Sequence, residues 1–156
     1  MHKYVRFPNR RICHLQKKPA EIRHALAFCG GSARLNGHRR KVFFDNMHIF
    51  DINREIYERW QTIPDPIHGF PPPRYSASPV VVDNKWLFVI GGSVRPRTDQ
   101  RSVWRLDIGS SRWQRVFQLP KRVIVISAAH CRLSGRLFIL MTDCQRNCVR
   151  MEMFRV

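Results

Sequence analysis

The feature that most constrains this chain is a short, wholly apolar segment that ends in two glycines. Residues Trp86–Ile90 read WLFVI, and Gly91 and Gly92 follow them directly. A solid apolar run of this length after the turn cluster at residues 83–85 predicts a buried strand. The double glycine predicts a tight turn after that strand, because glycine adopts positive φ and lets the backbone pass close to its neighbours.

Three more strands are predicted around this segment. Residues 75–82 form a run rich in β-forming residues, and residues 103–108 alternate between apolar and polar side chains. A polar, arginine-rich loop at residues 93–101 precedes the alternating run, and a final short strand is expected around Trp113. Four short antiparallel strands with a double glycine after the second predict one blade of a β-propeller.

Elements of the same kind recur on both sides of this unit, which predicts a tandem repeat. Upstream, the apolar residues 26–29 end in two glycines, and Trp60 stands where Trp113 stands. In this upstream unit we expect a first strand at residues 11–16, a turn at residues 17–20 and a polar loop at residues 32–42. Downstream, residues 136–140 match the apolar run, although Met141 and Thr142 replace the glycines. A proline and an arginine also precede the first strand of each unit, at residues 8–11, 73–74 and 120–122. The expected structural markers of the blades are Gly30, Gly31, Trp60, Gly91, Gly92 and Trp113.

Together these features resemble kelch repeats over roughly residues 7–154. The repeated positions 30, 91 and 141 lie 61 and 50 residues apart, against roughly 50 residues in a kelch repeat. The resemblance implies an all-β fold, a partial kelch β-propeller of about three four-stranded blades of which the last is degenerate. We expect a single partial kelch-repeat domain over residues 1–156, with blade units at about 8–63, 74–117 and 122–156. Because a closed propeller takes about 4–8 blades, three units would leave an open arc.

Two passages are similar to the group of kelch-domain proteins that resemble kelch domain-containing protein 10. They are residues 49–74, with their strand, long link, prolines and arginine, and residues 119–129. Members of that group are substrate receptors of cullin-2 ubiquitin ligases. The resemblance implies a protein-interaction module that reads acidic groups or the free C-terminal carboxylate of a target, typically after glycine. The residues at the comparable places are Arg95, Arg97, Arg101 and Ser127. We expect docking of elongin and the cullin to use parts absent from this chain.

Two other kinds of partner fit the sequence. An actin-binding or general scaffolding kelch protein is the alternative function. The chain also carries a formal net charge of +17, from 28 lysines and arginines against 11 aspartates and glutamates. Such a charge steers acidic partners and allows nonspecific binding of polyanions through phosphate neutralisation. The sequence shows no RNA-binding sheet signature and no helix-turn-helix pattern, which a specific nucleic-acid reader would need.

The sequence shows no pattern of residues that predicts catalysis. His14 and His130 occupy related positions, but no ligand set surrounds either histidine. Cys144 and Cys148 lack the second cysteine pair of a closed zinc site. We therefore expect no enzymatic activity, no cofactor and no metal. The absence of an apolar leader or an 18-residue apolar run argues against a membrane protein. The odd number of cysteines fits reduced thiols, so we expect the cytoplasm, the nucleus or both.

Overall fold

The computed structural model describes residues 20–22, 25–29, 32–34, 41–43, 47–74, 76–95, 98–99, 101–121, 123–143 and 148–156. This part of the chain is all-β: it contains fifteen strands and no helix. In chain order the strands are β1 (Ala20–Ile22), β2 (Ala25–Cys29), β3 (Ser32–Arg34), β4 (Lys41–Phe43), β5 (Met47–Asp51), β6 (Ile56–Arg59), β7 (Ser78–Val82), β8 (Trp86–Ile90), β9 (Ser93–Arg95), β10 (Thr98–Asp99), β11 (Ser102–Asp107), β12 (Arg112–Gln118), β13 (Val123–Cys131), β14 (Arg136–Asp143) and β15 (Cys148–Arg155).

Three larger sheets follow one another along the chain, and all their strand pairs are antiparallel. The first sheet has the order β1-β2-β5-β6, the middle sheet β12-β11-β8-β7, and the third sheet β13-β14-β15. Two small two-stranded sheets, β3-β4 and β9-β10, interrupt the first and middle units. The prediction of an all-β chain arranged as a partial propeller with incomplete blades is confirmed.

The middle sheet is buried on both faces, and this explains the unbroken apolar sequence of β8. Leu87 and Val89 pack in one cluster with Ala27 and Met47 of the first sheet. Their neighbours in β8, Phe88 and Ile90, pack in a second cluster against the third sheet, with Leu137, Ile139 and Met141. Successive residues of a strand point to opposite faces, so a strand covered on both sides needs an apolar residue at every position.

The third sheet differs from the middle one because only one of its faces is covered by described residues. Leu137, Ile139 and Met141 are fully buried against the middle sheet. On the opposite face Val149 and Met151 are 62% and 63% exposed. The third unit therefore has three strands and a single packed face.

Several local predictions can be compared with the structure. The turn after β8 is confirmed, since Gly91 and Gly92 have φ of 64° and 95°. The interpretation of residues 32–42 and 93–101 as loops was wrong in part, because each contains a short antiparallel pair, β3-β4 and β9-β10. Residue Ala20, expected in a turn, begins β1. The predicted strand at residues 11–16 and the markers Gly30 and Gly31 lie outside the described residues. No helix in the described part is long and apolar enough to cross a membrane.

Substitutions on the two faces of β8 test the double burial. We expect Leu87→Ala to lower the free energy of unfolding by about 2–5 kcal/mol and Phe88→Ala by about 3–5 kcal/mol, because each leaves a cavity in a separate core. Val149→Ala, at a position 62% exposed, is the control and should change stability by less than about 0.5 kcal/mol. Urea unfolding of the purified chain measures all three. A small effect at either position 87 or position 88 would contradict packing on that face.

Candidate functional site

A pocket of about 430 Å³ opens where the proline-rich link between the first two sheets, residues 60–74, meets the middle sheet. The link supplies one wall, and β11 and β12 supply the other. The lining residues are His68, Phe70 and Pro72 from the link, Arg101 just before β11, Ser102 and Trp104 in β11, and Arg115 and Gln118 in β12. None of these is acidic, so the described lining of the pocket carries positive charge only.

The carboxylate of Asp65 fastens the link to β12. One oxygen, Oδ1, accepts the backbone N–H groups of Ile67 and His68, both at 2.8 Å. The other, Oδ2, accepts the backbone N–H of Arg115 at 3.0 Å. The main chains of Asp65 and Gly69 also exchange two hydrogen bonds, and Gly69 closes this turn with φ of 72°, where glycine is favoured. The link thus enters the pocket as a fixed turn.

These hydrogen bonds also set the protonation of the carboxyl group. The backbone N–H groups of His68 and Arg115 stabilise the ionised form and lower the pKa of Asp65 from 3.8 to about 2. His68 adds a weaker contact, with Nδ1 3.3 Å from Oδ1. The carboxyl group of Asp65 is therefore ionised in the folded chain at neutral pH.

The two blade-marker tryptophans hold the preceding part of the link. The indole N–H of Trp60 donates to the Ser111 hydroxyl at 3.0 Å, and that of Trp113 donates to the Thr62 hydroxyl at 3.1 Å. Between them Ile63 pairs with the main chain of the middle sheet. Its N–H donates to the backbone carbonyl of Ser111 at 2.7 Å, and its carbonyl accepts the backbone N–H of Trp113 at 2.8 Å. Each tryptophan thereby ties the link to the middle sheet.

Arg74 fixes the other end of the link. Its side chain is 1% exposed. The guanidinium donates to the carbonyl of Gly91 at 2.9 Å and to the carbonyl and hydroxyl of Ser102 at 3.1 and 3.0 Å. It also reaches the carbonyl of Pro72 at 3.2 Å. The planar guanidinium group thus joins the link, the glycine turn and the start of β11 through several N–H donors, which a single ammonium group could not do.

Two arginines bring charge to the opening of the pocket. Arg101 is half-buried and makes one long hydrogen bond, to the carbonyl of Leu119 at 3.4 Å. Arg115 is also half-buried, and its guanidinium has no hydrogen-bond partner among the residues that the structure describes. A guanidinium presents a planar fork of donors that matches a carboxylate or a phosphate. The site can therefore bind an anionic group.

The rest of the lining is largely aromatic or apolar. Trp104 lies 3% exposed at the base of the pocket, and the ring of His68 meets it edge-on with centroids 6.4 Å apart. The indole nitrogen of Trp104 is buried and has no acceptor among the described residues. Phe70, which is 52% exposed, and Pro72 complete the apolar wall. An anion and an apolar group could occupy the pocket together.

Among the four residues that the sequence predicted at a binding site, the structure describes the side chains of Arg101 and Ser127. Arg101 lines the pocket, whereas Ser127 is exposed on β13, opposite Leu140 in the third sheet, and is not among the lining residues. Arg95 ends β9, and its side chain lies outside the described part. Arg97 lies outside it altogether. That these four residues together bind a partner stays a prediction.

Sequence reasoning missed three residues that the structure brings to Arg101, namely His68, Phe70 and Arg115. The one local signal was the segment Asp-Pro-Ile-His-Gly at residues 65–69, whose composition is typical of a turn. Among the described residues no cluster could hold a metal ion, and Cys131 and Cys148 are free thiols.

Residues 73–116 match the family model of the Kelch motif. The match begins next to Arg74 and extends through β7, β8 and β11 into β12, so it covers most of the middle sheet. No curated protein matches the chain. The motif supports a kelch-type repeat in this part of the chain and a role in binding other proteins.

Replacing Arg74 tests the junction that it makes. Arg74→Lys keeps the charge but loses the fork, so buried acceptors at Gly91 and Ser102 lose their donors. We expect unfolding free energy to fall by about 1–3 kcal/mol. Arg112→Lys, at an exposed position of β12, is the matched control and should be nearly neutral. Equal stability of the two variants in urea unfolding would show that the junction does not need the guanidinium.

The carboxylate of Asp65 makes stability depend on acidity. Its pKa in the folded chain, about 2, lies below the ordinary value of 3.8, so the unfolded chain takes up the proton first as the pH falls. The stabilisation is present above about pH 4 and is lost as the pH falls through about 2. We expect Asp65→Asn to lower the melting temperature at neutral pH and the difference from the parent chain to shrink on acidification.

Melting curves recorded by circular dichroism between about pH 2 and pH 7 measure this difference. Asp83→Asn, which removes a carboxylate from the exposed turn after β7, controls for the loss of one negative charge. A difference between the parent chain and Asp65→Asn that stays constant over the whole pH range would contradict the role given to the ionised carboxylate.

Proposed function

We propose that this chain is the substrate-recognition part of a cullin-RING ubiquitin ligase, and that it reads an acidic group of its partner, in particular a C-terminal carboxylate, in the pocket beside the middle sheet. The single observation that supports this most directly is the pair of half-buried arginines, Arg101 and Arg115, at an opening without described acidic residues. The Kelch motif at residues 73–116 supports the broader role in protein binding.

The surroundings of the two arginines favour a carboxylate at this place. Attraction between opposite charges increases where burial reduces contact with water, and Arg101 and Arg115 are both half-buried. Among the described residues the guanidinium of Arg115 has no hydrogen-bond partner, since Asp65 accepts only the backbone N–H of Arg115. It therefore needs to break no hydrogen bond to a described residue before it binds an anion.

Charge over the whole chain supports the same class of partner. The net charge of +17 accelerates encounters with acidic proteins, and the pocket then supplies the specific contact. Arg95, Arg97 and Ser127 stay candidate contacts for the partner. Attachment to elongin and cullin-2 would use other segments, and the proposed complex would act in the cytoplasm or the nucleus.

A comparison of peptide ends tests the carboxylate. Two fluorescein-labelled peptides share one neutral sequence and differ only in the C-terminus, which is free in one and amidated in the other. Both are titrated with the chain at about 0.15 M salt, because this salt concentration screens long-range electrostatic attraction. We expect amidation to weaken binding about tenfold or more, which corresponds to about 1.4 kcal/mol. Fluorescence anisotropy measures the affinities.

Variants then locate the contact. Arg115→Gln should remove most of the preference for the free acid, because it removes the fork without shortening the side chain greatly. Arg112→Gln, three residues earlier on the same strand and exposed, makes the same change in net charge and should keep the preference. Equal binding of free and amidated ends by the parent chain would contradict the carboxylate hypothesis. Co-sedimentation with filamentous actin would then test the scaffolding alternative.

A further inference from the structure

The pocket is much larger than the anionic group alone requires. Its volume is about 430 Å³, whereas a water molecule takes about 30 Å³, and a carboxylate is only slightly larger than a water molecule. Pockets that enclose small organic ligands begin at about 300 Å³. A carboxylate bound between Arg101 and Arg115 would therefore leave most of the volume to whatever is attached to it.

The wall of the pocket that the link supplies carries apolar side chains and is rigidly built. Phe70 and Pro72 lie on the link, whereas Trp104, 3% exposed, pairs with Arg115 in the middle sheet. That link is fastened on one side by Asp65 to β12 and on the other by Arg74 to Ser102. Phe70 is 52% exposed although it is a large hydrophobic residue, so the wall offers apolar surface that a ligand could cover.

The charged and the apolar lining residues together restrict the ligand. A terminal glycine would bind through its carboxylate alone and leave the ring of Phe70, which is 52% exposed, in contact with water. A terminal leucine or phenylalanine would place its side chain on the ring of Phe70, and aromatic pairs prefer the edge-to-face arrangement that His68 and Trp104 already show. Burial of such a side chain improves affinity about tenfold or more.

We infer that the pocket takes a C-terminal residue with a large apolar side chain, such as leucine or phenylalanine, in preference to a terminal glycine. The inference rests on the proposed function, because it assigns the carboxylate to Arg101 and Arg115. It adds Phe70, Pro72 and Trp104 as the residues that determine which terminal residue is accepted.

The test varies only the last residue of the peptide. One labelled peptide is made with glycine, alanine, leucine or phenylalanine at its end, each as the free acid and as the amide, and all eight are titrated by fluorescence anisotropy. We expect the free acids ending in leucine and phenylalanine to bind about tenfold or more tightly than the acid ending in glycine, with alanine between them.

Two variants on the link locate the selectivity. Phe70→Ala should bring the ratio of the affinities for the phenylalanine and glycine acids towards one, because it weakens binding of the phenylalanine acid more than binding of the glycine acid. Ile67→Ala removes a side chain that is 84% exposed and does not line the pocket, and it should leave the ratio unchanged. Both positions are exposed, and circular dichroism checks that each variant folds as the parent chain does.

The outcomes separate this inference from the proposed function. If amidation weakens the binding of every peptide, but the free acid ending in glycine binds as tightly as the one ending in phenylalanine, the inference is overturned and the carboxylate function stands. If free acids and amides bind equally, or if no peptide binds, both are overturned. If phenylalanine is preferred but Phe70→Ala and Ile67→Ala change the ratio alike, the assignment of selectivity to this wall is wrong.

Discussion

Burial of β8 on both faces is the constraint on which the rest of the structure depends. A strand with Leu87 and Val89 on one face and Phe88 and Ile90 on the other needs a sheet on each side, and these are the first and third sheets. Each buried side chain of this kind stabilises the fold by about 1.5–3 kcal/mol, so the stacking of the three sheets follows from one segment. That stacking forces the chain to cross from the first sheet to the second outside the core, and the proline-rich link makes this crossing along the edge of β12.

Those parts of the fold that depend on local chemistry were predictable from the sequence. The apolar run and the double glycine specify a buried strand and its turn, and Asp83 and Asn84 have the positive φ, 51° each, that such turn residues tolerate. The short pairs β3-β4 and β9-β10 were missed because the polar character of their segments was taken to mean loop. In the first of them the sequence Asn36-Gly37 was a hairpin signal. In the third unit no turn occurs at Met141, because β14 continues to Asp143 and pairs along its whole length with β15.

The pocket could be predicted only in part, since its two walls meet through tertiary contacts. Arg101 stood out because it ends an arginine-rich segment. Arg115 did not, because in the alternating sequence of β12 an arginine is typical of a solvent-facing position. Its place in a pocket depends on the link that lies beside it, and the position of the link depends on hydrogen bonds from residues about fifty positions apart, such as Trp60 to Ser111 and Asp65 to Arg115. Sequence periodicity carries no information on such pairs. The burial of Arg74 was hidden for the same reason, although its place before β7 was noted.

In the proposed function Asp65 and the arginines have separate tasks, so that binding of an anion would not weaken the fold. Both oxygens of Asp65 receive backbone N–H groups, so its negative charge is neutralised by dipoles of the main chain and not by the guanidinium groups. Had Asp65 bound the side chain of Arg115 instead, an incoming carboxylate would have to replace it, and binding would loosen the link. The backbone N–H of Arg115 holds the link in place, while its guanidinium has no partner among the described residues and could bind a ligand. Ligand affinity and the stability of the link can therefore change independently.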